Sequence, residues 1–159
     1  MANLTFITVG TLKEGYLRDA VAEYTKRISQ YARVEEISLK EERIRDEDDE
    51  TEIKRALSAE GERILASVPK GAVIVALCVE GKEYDSVALS SLIGKLSDER
   101  GKIVFVIGSS HGLSDEVKRA ADVKLSVSKL TFPHQLMRVI LAETVYRSLT
   151  ILAGKKYHK

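Results

Sequence analysis

Two stretches of the chain are apolar almost without a break: Ala72-Val73-Ile74-Val75-Ala76-Leu77-Cys78-Val79 and Ile103-Val104-Phe105-Val106-Ile107. A strand with one wet face alternates apolar and polar residues. A strand that fails to alternate is covered on both faces, as a central strand of a parallel sheet is. Leu4 to Val9 is a third β-rich segment and ends at Gly10, and Val34 to Leu39 can form a fourth. Between these runs, apolar residues recur at three- and four-residue steps, the spacing of a helix face. Leu17, Ala20, Val21, Tyr24, Ile28 and Tyr31 mark one helix, and Leu89, Leu92, Ile93 and Leu96 another. Ile53, Leu57, Ile64, Leu65 and Val68 mark a helix that Pro69 and Gly71 end. Strands alternating with helices specify an α/β fold, a mostly parallel sheet flanked by helices. The 159 residues suit a single domain spanning 1–159.

The last third follows a different plan. Ser114 caps a short helix through Arg119, and Val123, Leu125 and Val127 alternate as a brief strand. Ser128 to Pro133 is a loop into a long helix, His134 to Leu152, with Pro133 suited to its first turn. Leu136, Met137, Val139, Ile140, Leu141, Ala142, Val145, Tyr146, Leu149, Ile151 and Leu152 make that helix apolar around more than one face. A helix packed on one sheet needs a narrower stripe. The surplus predicts a homodimer interface; a deeply buried helix within one chain is the alternative.

Composition narrows the setting. The longest apolar runs fall far short of the ~20 residues of a membrane span, so no membrane partner is expected. The start of the chain, Met1-Ala2-Asn3-Leu4-Thr5-Phe6, reads as a first strand rather than a signal peptide. Cys78, the one cysteine, excludes an intrachain disulfide and reads as a small buried hydrophobe in a reducing cytoplasm. The net charge is only +1, yet basic residues gather late in the chain and acids gather in Glu41 to Glu52. That asymmetry points to an anionic partner at the C-terminal end.

In an open parallel sheet the ligand crevice lies beyond the carboxyl ends of the strands. Leu77 to Gly81 and Gly108 to Gly112 therefore sit at the rim. Gly108-Ser109-Ser110-His111-Gly112 can offer backbone N–H groups to a ligand, although a plain strand-to-helix turn has the same composition. His111, His134 and His158 form no metal-ligating spacing, so no metal is expected. Hydrolase motifs such as Gly-x-Ser-x-Gly are absent.

Taken together, "VGTLKEGYLRDAVAEYTKRI", "EGERIL", "FVIGSSHGL", "LSVSKLTFPHQLMRVILAETVYRSLTIL" and the final "YHK" resemble the RlmH family from first strand to last residue. RlmH proteins are SPOUT-class methyltransferases. The resemblance implies a C-terminal trefoil knot, a homodimer, and S-adenosyl-L-methionine as cofactor. It also implies methyl transfer to N3 of a pseudouridine in 23S ribosomal RNA on the assembled ribosome. By motif, cofactor contacts fall on Leu77, Gly108, Val127, Ser128, Lys129, Leu130, Thr131 and Phe132. The residues expected at the chemistry are His134, Arg138, Tyr157 and His158, with His158 handling the proton and Lys155, Lys156 and Lys159 neutralising phosphates. One position departs from the family pattern, Ser109 in place of a second glycine. If that position needs positive φ, serine costs roughly 1 kcal/mol or more, and a shifted but working loop is expected. Two further activities fit the same residues: a SPOUT enzyme acting on transfer RNA, and a non-catalytic RNA-binding assembly protein.

Overall fold

The most apolar segments take the central places. In the computed structural model, which describes residues 1–159, five strands pair in parallel: β1 (Asn3–Val9), β2 (Arg33–Leu39), β3 (Val73–Glu83), β4 (Lys102–Ile107) and β5 (Val123–Ser126). Their order across the sheet is β2-β1-β4-β3-β5. Five helices complete the chain: α1 (Gly15–Ile28), α2 (Glu50–Ser67), α3 (Ser86–Arg100), α4 (Asp115–Ala120) and α5 (His134–Leu152).

The period of two along each strand sorts side chains into two cores. Leu4, Phe6, Val73, Val75, Ile103, Phe105 and Ile107 face one cluster, with Ile28 of α1, Ile93 of α3 and Leu141 of α5. Ile7, Val9, Ile74, Ala76, Val104 and Val106 face the other, with Ile64 of α2 and Val117 of α4. Both faces of the central strands are thus covered, as their unbroken apolarity requires.

Three findings refine the sequence reading. First, β3 does not stop at Val79. Val75 to Leu77 pair with Val123 to Leu125, the register breaks, and Lys82 and Glu83 then pair with Leu125 and Ser126. Residues 78–81 bulge out of the ladder. A side chain at Gly81 would press a Cβ to 2.7 Å from the Lys124 carbonyl, so only glycine lets the two backbones approach this closely. Second, α2 buries Ala56, Glu60, Gly61 and Ile64 most deeply, while Ile53, Leu57 and Leu65 are half-buried. Small residues win there because a Cβ on Gly61 would overlap the Ser114 side chain. Third, α5 lies between α1 and α3, and a Cβ on Gly94 would stand 3.0 Å from Leu152. Leu136, Met137, Val139, Ile140 and Leu152 remain partly exposed along it, so the apolar surplus is not used up within one chain.

Candidate active site

The carboxyl ends of β3, β4 and β5 open into a cleft of about 710 Å3. Sites for small organic ligands fall at roughly 300–1,000 Å3. The bulge after Leu77, the turn Gly108 to Gly112 and the loop after β5 form its walls, and His134 and Met137 of α5 reach it. Leu77, Gly108, Val127, Ser128, Leu130, Thr131 and Phe132, all expected at a cofactor, line it together. Lys129 lies on the same loop but is exposed and is not part of the lining.

Local chemistry fixes the two loops. A Cβ on Gly108 would overlap the Gly112 carbonyl, so the turn closes only on glycine there; Gly112 has φ +89° and its N–H donates to the Ser109 carbonyl at 2.9 Å. Ser109 is not strained, because no non-glycine residue has positive φ. It is instead buried at 4% exposure and donates its hydroxyl to Glu60 Oε1 at 2.9 Å. The other oxygen of Glu60 accepts the Glu42 N–H at 2.9 Å. Glu60, only 3% exposed, thus props the cleft turn from behind. Sequence reasoning missed it, because a carboxylate in an amphipathic helix looks like any other surface acid.

The loop after β5 is held by Ser126 Oγ, which donates to the Ser128 carbonyl at 3.0 Å, and by Ser128 Oγ, which accepts the Leu130 N–H at 3.0 Å. The N–H groups of Lys129, Thr131 and Phe132 make no hydrogen bond within the chain. This free backbone edge, set against apolar Leu77, Leu125, Leu130 and Phe132, matches a nucleoside: a flat apolar ring with donors and acceptors on its rim. S-adenosyl-L-methionine therefore fits the residues present.

At the other wall, Glu80 and Lys118 form an ion pair at 2.5 Å. Lys118 holds the Glu80 carboxyl below its ordinary range, and Glu80 in turn raises the Lys118 ammonium. Burial, and secondarily Glu80, pushes the Cys78 thiol up, so Cys78 stays a neutral thiol in the lining. No spacing in the sequence announced this pair, because it depends on the β3 bulge.

The residues expected at the chemistry divide. His134 faces the cleft. Arg138 is 9% exposed and points toward β1 and β2, donating to the Gly10 carbonyl and to Ser38 Oγ, each at 3.1 Å. Burial lowers its pKa, with Glu36 opposing. Tyr157 and His158 fold back on α5: the Tyr157 hydroxyl donates to Glu143 at 3.0 Å and His158 Nδ1 lies 3.1 Å from Arg147. The Tyr157 ring packs edge-on to Tyr146 at 4.7 Å. Glu143 is about 13 Å beyond His134 along the helix axis, at about 1.5 Å per residue, so the tail does not reach its own cleft.

A sheet of this order with a nucleoside-sized cleft over its carboxyl edge is the fold of the SPOUT methyltransferases. A probable methyltransferase from Bordetella pertussis Tohama I matches with TM-score 0.55 at 16% identity, over 93% of this chain and 96% of that one. The SpoU methyltransferase AviRb from Streptomyces viridochromogenes, solved with the cofactor AdoMet, matches with TM-score 0.50 at 12% identity, over 98% of this chain and 60% of that one. The family model described as "Predicted SPOUT methyltransferase" matches residues 2–158. Relatives named ribosomal RNA large subunit methyltransferase H are 47% identical in Bacillus pumilus, over 99% of both chains, and 47% identical in Caldicellulosiruptor bescii, over 98% of this chain and 99% of that one. The chain belongs to the SPOUT methyltransferases and, among them, to the large-subunit methyltransferase H family that its sequence resembles.

Proposed function

We propose that this chain transfers a methyl group from S-adenosyl-L-methionine to N3 of a pseudouridine in 23S ribosomal RNA, on the assembled ribosome in the cytoplasm. The observation that carries the reading is the convergence of the bulge within β3 and the loops after β4 and β5 on one cleft with an unpaired backbone edge. The name shared by the relatives supports ribosomal RNA as the substrate. The bound cofactor of the AviRb structure supports the donor.

The cofactor supplies an activated methyl on a sulfonium, so the chain's task is alignment and exclusion of water. Gly108 to Gly112 and the loop from Val127 to Phe132 would hold the cofactor, and Leu77 and Phe132 would shut water from it. The N3 proton must leave as the nitrogen–methyl bond forms and the sulfur–methyl bond breaks. His134, at the cleft, can accept it or pass it on. Arg138 acts as a positioning residue, tying α5 to the ends of β1 and β2.

Tyr157 and His158 work in the cleft of a second copy, since they cannot occupy their own. The partly exposed Leu136, Val139 and Ile140 on α5 supply the apolar face of that homodimer. The C-terminal segment threads a loop of the chain as a trefoil knot; the tight seat of Gly81 against Lys124 and Leu125 supports a close crossing there. The whole chain acts as one catalytic domain.

Incubating labelled S-adenosyl-L-methionine with ribosomes or transfer RNA from a strain lacking the gene tests the assignment. Label mapping to N3 of a 23S pseudouridine is expected. Label in transfer RNA alone overturns the substrate. Absence of any calorimetric or thermal response to S-adenosyl-L-methionine favours a non-catalytic assembly protein.

A further inference from the structure

We propose that Lys13, on the connection between β1 and α1, and Tyr16, in the first turn of α1, form a stacking platform for an unpaired RNA base beside the cleft. This inference rests on the ribosomal RNA reading above and specifies how the RNA is gripped.

The chain has six tyrosines. Tyr24, Tyr31, Tyr146 and Tyr157 pack in one aromatic cluster, and Tyr84 packs on the core beneath the Lys82 ammonium. Tyr16 alone stands 70% exposed, outside every aromatic contact. The connection that leads into it is not loose. The Gly10 N–H donates to the Leu39 carbonyl at 2.8 Å and the Gly10 carbonyl accepts from Arg138 at 3.1 Å. The Arg18 guanidinium donates to the Leu12 and Lys13 carbonyls, each at 2.9 Å. The Lys13 N–H donates to Gln135 Oε1 at 3.3 Å, and Gln135 follows the cleft residue His134 in α5. Hydrogen bonds to its main chain thus hold a segment whose Thr11, Lys13, Glu14, Gly15 and Tyr16 are all exposed.

Such a segment loses little entropy when a ligand lands on it. An exposed aromatic on a fixed backbone, three residues along the chain from an exposed lysine, is what a base and its phosphate require: the ring stacks on any base, and the ammonium meets the backbone. The arrangement also answers a problem of charge. With a net charge of +1, bulk attraction to phosphates is weak, and stacking supplies affinity that salt does not screen. Lys13 forms none of the chain's ion pairs, so its ammonium is free for a phosphate.

The test compares wild type with Tyr16→Ala, Tyr16→Phe and Lys13→Gln. It measures the Kd for ribosomes from a strain lacking the gene, the S-adenosyl-L-methionine Kd, the kinetics of methyl transfer and the mass of the particle in solution. Stacking predicts about tenfold weaker ribosome binding and a matching rise in KM for Tyr16→Ala. The cofactor Kd and kcat should hold, and Tyr16→Phe should bind as wild type because it keeps the ring. Lys13→Gln should lower the slope of log Kd against log salt by about one phosphate contact. Unchanged ribosome binding by Tyr16→Ala overturns the platform, as does a Tyr16→Phe loss equal to that of alanine. A fall in particle mass with Tyr16→Ala also overturns it, assigning the ring to contact between two copies. A wild-type protein that binds ribosomes without methylating them defeats the reaction proposed above, while the Tyr16 ratios still decide the platform.

Discussion

At the scale of single residues, the cleft depends on places where nothing fits but what is there. Gly108 is the sharpest case, since any Cβ collides with the Gly112 carbonyl, which is main chain and cannot swing aside. Overpacking of this kind costs about 1–3 kcal/mol. Gly108→Ala should therefore weaken S-adenosyl-L-methionine binding by about tenfold or more in a calorimetric titration, with the fold retained by circular dichroism. Equal affinity would place the cofactor away from this turn. Tyr157 yields a prediction in pH. Burial, joined by its bond to Glu143, pushes its hydroxyl from 10.0 up to about 12. The neutral phenol is the form that the folded chain favours, so the stability it contributes is full below pH 10 and is lost as pH rises through about 12. A difference titration of phenolate absorbance between wild type and Tyr157→Phe should show one tyrosine ionising near pH 12. Ionisation near pH 10 would mean that the tail is undocked. At neutral pH the Tyr157 hydroxyl is a donor, so the proposed reaction needs its proton acceptor elsewhere.

At the scale of elements, α5 carries most of the load. One side is buried between α1 and α3, its first turn touches the cleft, and a third strip stays partly open. Ile140→Asp puts a charge in that strip without touching the core. Sedimentation should show a dimer for wild type and a monomer for the variant, with cofactor binding intact; a variant that stays dimeric would move the interface elsewhere. Arg138→Ala leaves the Gly10 carbonyl and Ser38 without their donor, so methyl transfer should fall at least tenfold while the cofactor Kd holds. Arg138→Lys should recover little, because an ammonium cannot span both acceptors as a guanidinium fork does. Loss of cofactor binding instead would make Arg138 part of the cofactor site.

At the scale of the whole molecule, the proposed sharing of catalysis between copies makes a prediction that no single chain can satisfy. Gly108→Ala lacks a competent cleft, and a variant lacking Tyr157 and His158 lacks the tail; mixed, they should regain up to about a quarter of wild-type transfer, since one partner in half of the dimers offers an intact cleft to an intact tail. No recovery would confine each site to one chain. Much of this architecture was legible in advance. Unbroken apolarity at Val73 to Leu77 and Ile103 to Ile107 placed the central strands, and the carboxyl-edge rule placed Leu77 and Gly108 in the cleft. What escaped were features made by contact between distant segments. The break in β3 register arises from pairing with β5, and the burial of Glu60 arises because Ser109 and Glu42 come to meet it. The direction of Arg138 escaped for the same reason: helical spacing from His134 gives a shared face, but the sheet ends beside it decide where a long guanidinium points.

The way the C-terminal tail rests on α5 has a mechanical consequence. One uninterrupted rod links the mouth of the pocket to the place where the tail is moored, so their spacing and relative bearing are set by residue count alone. Inserting or deleting a single residue between Met137 and Glu143 would turn one end about 100° against the other, aiming the tail at empty solvent while leaving each end locally intact. Drift in length should therefore be barred along this stretch of the rod.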